Sequence, residues 1–346
     1  MRVHPALSAL LWPLSVLYGA IVRLRAWLYR AGVLPTHRLK GTVISVGNLT
    51  VGGTGKTPLV IWLGKRSIAE RKRPAILSRG YRAGPLYSSA PEALPPGLTK
   101  VNDELLLMVT ALGNHAGFGI GKNRHKEGKT LEAHGFNWFI LDDGFQHLAL
   151  ARDVNIALID ATDPPTQQRL LPAGRLREPL LALRRADIIL VTRSTGRGID
   201  ANLRPLSAAP IFHARTRFQC VRQVRPHGEE LTDWRRLKFV AFCGIGNPDS
   251  FFADLKAWGF AVSAERTFPD HHRYSRKDFE SLAQDLRRAE ADALLCTEKD
   301  AVNLCFEFPG TPLVFACVIS IEVDEGDSFW NEIKQRASRS RPGGGG

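Results

Sequence analysis

The chain has 346 residues, 44% of them apolar, with 47 Lys and Arg against 34 Asp and Glu, a formal charge of +13. That length suits one large or two modest domains, and the charge points to an anionic partner: an acidic membrane, a phosphorylated substrate or nucleic acid. Nucleic acid is the weaker choice, because the basic residues are spread out before the C-terminal tail and no zinc-finger spacing occurs. The five cysteines (Cys220, Cys243, Cys296, Cys305, Cys317) are odd in number and never form Cys-x-x-Cys. They read as reduced core residues of a cytosolic protein, which excludes a disulfide or zinc framework.

The first predicted element is a helix. No charged residue lies between Ala6 and Val22, a run marginal for crossing a bilayer, which needs about 20 apolar residues, and Pro13 and Gly19 interrupt it. Leu7, Leu10, Leu14, Leu17, Ile21, Leu24 and Leu28 recur at steps of three and four and draw one apolar stripe. Arg23, Arg25 and Arg30 lie off it, interleaved with Trp12, Tyr18, Trp27 and Tyr29. Such residues suit an anionic headgroup layer. The expectation is a monotopic helix on the cytoplasmic face, with a single span as the runner-up. A stripe packed on the protein body and, since Arg2 precedes the run, a signal peptide are the alternatives.

Next comes Thr42-Val43-Ile44-Ser45-Val46, an apolar strand, followed by Thr50-Val51-Gly52-Gly53-Thr54-Gly55-Lys56-Thr57 and a helical stretch from Pro58 to Ala69. Strand, glycine-rich loop and helix are the parts of a P-loop. Its backbone N–H groups point at phosphate oxygens and the helix N-terminus adds positive potential. Lys56 is expected to reach the β- and γ-phosphates and the Thr57 hydroxyl to bind Mg²⁺; Thr50 stands where the strict pattern has Gly.

Further apolar, β-rich runs follow at Ala75 to Leu77, Trp138 to Leu141, Val154 to Ile159, Ile188 to Thr192, Phe239 to Phe242, Ala293 to Cys296 and Leu313 to Val318. Continuous apolar strands separated by helices imply an α/β fold, a mainly parallel P-loop NTPase-like sheet covered by helices. The expected division is an N-terminal membrane-associated helix over 1–34, a P-loop core over 35–205, a smaller α/β lobe over 206–335 and a disordered tail over 336–346.

Several motifs sit beside these strands. Trp138-Phe139-Ile140-Leu141-Asp142 is a hydrophobic strand ending in a carboxylate, followed by Asp143; one of the two aspartates is expected to serve the metal and the other a substrate group or water. Two groups offer a base for a hydroxyl proton, Asp103-Glu104 before an apolar helix and Asp270-His271-His272 in a polar loop. Asp103 could equally be a helix cap. Arg79 after a strand, and Arg175 and Arg177 in a proline-bracketed loop, suit phosphate groups. Thr297-Glu298-Lys299-Asp300 does not match a guanine reader, and no Asp-x-x-Gly follows Asp142, so a GTPase switch is disfavoured.

In combination, Val46 to Pro58, Leu77-Ser78-Arg79-Gly80-Tyr81, Asp142-Asp143-Gly144-Phe145-Gln146-His147, Leu176-Arg177-Glu178-Pro179, Phe268-Pro269-Asp270-His271-His272 and Thr297 to Val302 resemble, in order, the tetraacyldisaccharide 4'-kinases of lipid A synthesis. The resemblance runs from the N-terminal helix to about Val323. It implies ATP- and Mg²⁺-dependent transfer to the 4'-hydroxyl of an anionic lipid, a tetraacylated disaccharide 1-phosphate, at the cytoplasmic face of the inner membrane. By motif it places the base on Asp103 assisted by His271, with Asp143 and Lys56 also catalytic and Thr57 and Asp142 on the metal. Asn48, Arg79, Gln146, His147, Arg177 and Glu178 fall on the substrate side, Glu178 either orienting an arginine or touching the sugar. The acidic pair stands in Asn102-Asp103-Glu104-Leu105, where the family commonly shows Gly-Asp-Glu-Pro. No nucleic acid and no obligate protein partner is expected. The rival readings are a membrane-bound regulatory or chaperone ATPase and, more weakly, a nucleic-acid-stimulated ATPase.

Overall fold

The computed structural model describes residues 10–79, 86–88, 103–194, 196–225, 229–304 and 312–340. Of the residues named above, Arg2, Ala6, Leu7, Gly80, Tyr81, Asn102 and Cys305 lie outside them. The chain forms two compact units, one from Arg2–Arg215 with Ile321–Gly346 and one from Thr216–Ser320.

The larger unit begins with helix α1 (Trp12–Arg30), with Pro in its first turn, where the missing N–H costs nothing. The helix buries Ser15 and Gly19. Its expected apolar stripe faces outward: Leu14, Leu17, Ile21 and Leu24 are 54%, 58%, 57% and 56% exposed. The stripe is therefore not packed on the body. Among the described residues no helix is long and apolar enough to cross a membrane.

Then come β1 (Thr42–Asn48), α2 (Lys56–Ala69), β2 (Pro74–Ser78), β3 (Leu86–Ser88), α3 (Asp103–Leu112), β4 (Gly117–Ile120), α4 (Arg124–Ala133), β5 (Trp138–Leu141), β6 (Val154–Asp160), β7 (Ile188–Thr192), the short α5 (Asp200–Leu203) and the start of β8 (Ile211–Arg225), which from Thr216 onward belongs to the smaller unit. The strand order in this unit is β8-β7-β6-β1-β5-β2-β4-β3. Every pair is parallel except β3 with β4. Strands β2, β4, β5, β6 and β7 are buried along their whole length. This explains their unbroken apolar runs, since helices cover both faces of a parallel sheet. The order places the carboxyl ends of β7, β6, β1 and β2, which are Thr192, Asp160, Asn48 and Ser78, in a row, with Asp142 just past β5. Ligands of open α/β sheets bind beyond those ends.

The smaller unit holds β9 (Glu230–Leu231), β10 (Lys238–Cys243), α6 (Pro248–Ala257), β11 (Ala261–Thr267), α7 (Arg276–Arg288), β12 (Ala293–Thr297), α8 (Glu298–Asn303) and most of β13 (Val314–Val323). Strands β11-β10-β12-β13 are parallel neighbours, and β9 pairs antiparallel with β8. Cys243, Cys296 and Cys317 are buried among Phe239, Phe242, Phe315 and Leu295. Burial pushes the Cys243 thiol up to about 12 and that of Cys296 well above its usual value, which makes them poor nucleophiles.

The last helix, α9 (Gly326–Arg339), returns to the larger unit. Trp330 packs on Trp62 and Trp138 with ring centroids 6.3 and 5.9 Å apart, and its Nε1–H donates to Glu70 Oε1 at 2.7 Å. Lys334 reaches the same carboxylate at 2.8 Å. Truncating a fully buried Trp costs about 3–5 kcal/mol, so α9 is a structural part of the P-loop unit. The lobe expected over 206–335 is thus narrower, because this aromatic contact recovers its last helix. Residues 336–339, expected to be disordered, finish that helix, while 341–346 lie outside the described residues.

Candidate active site

The loop between β1 and α2 turns through two glycines at positive φ, Gly52 (+124°) and Gly55 (+85°), a backbone region closed to most side chains. Its carbonyls are held from outside. Val51 O accepts from Arg175 Nε and Nη2 at 3.0 and 2.6 Å. Gly53 O accepts from Arg193 at 3.3 Å and Thr54 O from the Thr192 hydroxyl at 3.0 Å. In a trans peptide the C=O and the following N–H point in opposite directions. The N–H groups of Gly52, Thr54 and Gly55 are therefore turned away from these three donors, into the concave side of the loop. The Thr54 hydroxyl is buried with no hydrogen-bond partner among the described residues, an orphan donor of the kind that a bound phosphate satisfies. Thr57, in the first turn of α2, is buried as well.

Arg175 shows why the loop needs glycine at 52: a Cβ there would lie 2.1 Å from its Nη2. The arginine is braced by Asp163 at 2.5 Å, as Arg193 is by Asp160 at 2.6 Å. Thr50 bridges Leu176 in antiparallel fashion, and the Arg177 N–H donates to Leu49 O at 2.7 Å. The proline-bracketed loop is thus zipped along the P-loop.

The strand-end carboxylates diverge. Asp143 adopts φ +47°, uncommon for a residue with a side chain. The tight turn fits because Gly144 follows, where a Cβ would meet Ser45 Oγ at 2.6 Å. Lys56 Nζ lies 3.6 Å from the Asp143 carboxylate and 3.2 Å from Asn48 Oδ1. Arg177 Nη1 donates to both Asp143 oxygens, at 2.9 and 2.8 Å. Although burial opposes ionisation, Lys56, Arg177 and Arg124 together hold the Asp143 carboxyl below the usual range. Asp142 is buried and accepts from Ser78 Oγ at 3.1 Å. Burial, with Glu104 and Asp143 nearby, pushes it up to about 6. Glu104 adjoins Asp103, the buried first residue of α3, whose carboxylate accepts the Glu104 N–H at 2.9 Å.

Around Gln146 and His147 the site is cationic. Gln146 Nε2 donates to Asn48 O at 2.9 Å, and Arg25 Nη2 donates to Gln146 O at 3.1 Å. Burial first, then Arg124, Arg152, Arg25 and Arg79, drives His147 down to about 3. Glu178 is buried and pairs with Arg185 at 2.5 Å; Arg185 lies over the Phe145 ring. The Glu178 carboxylate thus meets an arginine of the same unit.

His271 belongs to the smaller unit, in the turn after β11, with φ +58°. Its N–H donates to Gly244 O at 3.0 Å, and the Gly244 N–H donates to the buried Asp300 at 2.8 Å. The Tyr274 hydroxyl donates to the same Asp300 oxygen at 2.7 Å. His272 stacks on Phe268 and engages Asp278 at 3.1 Å, whereas the His271 side chain is 51% exposed.

A family model described as LpxK, tetraacyldisaccharide-1-P 4'-kinase, matches residues 7–338. The chain belongs to this family. It is 39% identical over 323 residues to the tetraacyldisaccharide 4'-kinase of Geobacter metallireducens, covering 91% of this chain and 94% of that one. It is 36% identical over 314 residues to that of Halothermothrix orenii, covering 84% and 81%. The crystal structure of Aquifex aeolicus LpxK in complex with ATP superposes with a TM-score of 0.74 at 34% identity, over 95% of this chain and 99% of that one. The chain is accordingly an ATP-dependent kinase of lipid A synthesis, a phosphotransferase with ATP and Mg²⁺ as cofactors, and the regulatory ATPase reading is not favoured.

Some residues of this LpxK-family site escaped the sequence. Arg193 and Thr192 grip the P-loop from the end of β7, and an apolar strand ending in Thr-Arg is the only signal for them. Arg124 donates to Asp143 O at 3.3 Å from the start of α4, and nothing local marks it.

Proposed function

We propose that Lys56, the inward amides of the P-loop and the Arg177 guanidinium neutralise the ATP phosphates, while Asp103 accepts the proton of the 4'-hydroxyl of a tetraacyldisaccharide 1-phosphate. The observation that carries this reading is the cluster of Lys56, Asp143 and Arg177 set against a loop in which the carbonyls of Val51, Gly53 and Thr54 are held from outside. Asp142 and the Thr57 hydroxyl, with Glu104 near Asp142, would offer Mg²⁺ oxygen donors, the ligand type that it takes. The raised Asp142 pKa, caused by burial and two neighbouring carboxylates, supports that fit, because crowded negative charge favours a bound cation. When bound, Mg²⁺ offsets charge on the β- and γ-phosphates. Positioning and preorganised charge account for most of the acceleration.

On the acceptor side, Arg79, Arg25 and Arg124 make the surroundings of His147 cationic, which suits an anionic lipid, with Gln146 and His147 as neutral hydrogen-bonding partners. The outward stripe of α1, flanked by Arg23, Arg25 and Arg30, seats in the cytoplasmic face of the inner membrane without crossing it.

The test is transfer of label from ATP to purified tetraacyldisaccharide 1-phosphate in detergent micelles, with Lys56→Ala as control. Label in the lipid that is lost in the variant supports the reading; no lipid label despite bound ATP sinks it. Flotation of Leu14→Ser/Leu17→Ser with anionic vesicles tests the membrane arm, which fails if that variant floats like the wild type.

A further inference from the structure

An amphipathic helix normally turns its apolar face to the core, but α1 does the reverse. Its leucines face outward, and it meets the body through small and polar residues, Ser15, Gly19, Tyr18 and Arg25. Each polar contact ends on a backbone carbonyl of a site loop. The Ser15 hydroxyl donates to Leu170 O at 2.8 Å, the Tyr18 hydroxyl to Arg177 O at 2.9 Å, and Arg25 to Gln146 O. Gly19 permits the approach, because a Cβ there would stand 2.9 Å from Leu170 Cδ1. The middle contact falls on the residue whose N–H is bonded to Leu49 O, just past β1, and whose guanidinium grips Asp143.

We propose that α1 is a strut of the phosphoryl-transfer site as well as its anchor, with Tyr18 a positioning residue that fixes the Arg177 backbone and so aims its guanidinium at Asp143 beside Lys56. A helix pinned only by apolar packing could slide or roll over the body; one pinned at three carbonyls fixes the loop and the helix together. The contact acts on the orientation of a charge and not on ATP capture, so its loss appears in turnover. The proposal rests on the kinase reading given above.

Tyr18→Phe removes one oxygen and keeps the ring, so the fold and the membrane face are preserved. Transfer to tetraacyldisaccharide 1-phosphate in micelles is expected to show kcat lowered about 3- to 10-fold, the worth of one hydrogen bond. The KM for ATP should be unchanged, as should flotation with phosphatidylglycerol/phosphatidylethanolamine vesicles. On an Arg177→Ala background the same change should add little, since residues acting through one another are non-additive. An unchanged kcat, a fall that only tracks lost vesicle binding, or losses that multiply fully in the double variant would each overturn the proposal. Absence of transfer by the wild type would instead overturn the kinase reading beneath it.

Discussion

One nitrogen of Arg177, Nη1, bonds both oxygens of Asp143, and Lys56 Nζ faces the same carboxylate from the P-loop helix at 3.6 Å. Asp143 therefore fixes two cations at once, and their charges are preorganised before any phosphate arrives. Preorganised charge in a dry site is worth more than the same charge assembled in water.

Lys56→Ala should lower transfer to the lipid by about 10²–10³-fold, the usual cost of removing one preorganised donor. The fold should be intact, because the Asp143 carboxylate keeps Arg177 and the Asn48 side chain keeps its bond to the Thr50 hydroxyl. Retention of more than about a tenth of wild-type turnover would place the phosphate-binding cation elsewhere.

Asp103→Ala should reduce kcat by about 10²–10⁴-fold, the range for loss of a general base, and leave ATP affinity close to wild type. Near-normal kcat in Asp103→Ala would return that residue to the helix-capping role suggested by its contact with the Glu104 N–H.

Asp142→Asn should raise the Mg²⁺ concentration for half-maximal rate by about tenfold or more, in line with loss of one ligand's share of affinity. In the metal-free protein the same change removes repulsion among Asp142, Glu104 and Asp143. Its melting temperature in EDTA should match or exceed that of the wild type; a clear drop would show that the carboxylate holds the fold.

His147 is held down to about 3 by burial and four arginines, against an ordinary value of 6.5. In acid the unfolded chain takes up a proton at this residue before the folded one does. The contribution to stability is thus complete above about pH 6.5 and lost progressively as pH falls towards 3. His147→Asn, which cannot titrate, should lose less melting temperature than the wild type between pH 7.5 and 5. Parallel losses would mean that His147 protonates freely in the fold.

What could be read in the sequence was local. Strand, glycine loop and helix are contiguous from Thr42 to Ala69, and Asp142 follows its strand directly, so period and spacing place them. Periodicity also found the stripe on α1, but not the face it turns to the body: Ser15 and Gly19 are unremarkable until their distant partner, Leu170, is known. The outer grip on the P-loop was hidden for the same reason. Arg175 and Arg193 act more than a hundred residues away from the carbonyls they hold, and no local pattern encodes such a pairing. The lobe expected over 206–335 took in 206–215 and 321–335, which cluster with the larger unit; for the last helix, aromatic contacts made by Trp330, not composition, decide where it rests.

The discontinuity of the larger unit bears on how the protein is made. Residues 216–320 are translated between its two parts, so a nascent chain has a complete Gly-Lys-Thr loop long before Phe329, Trp330 and Ile333 exist to cover the outer face of α2. Until then Trp62 and the Glu70 carboxylate await their partners, and the half-built core exposes apolar surface on the ribosome. Competence for nucleotide chemistry should therefore emerge late and abruptly during synthesis.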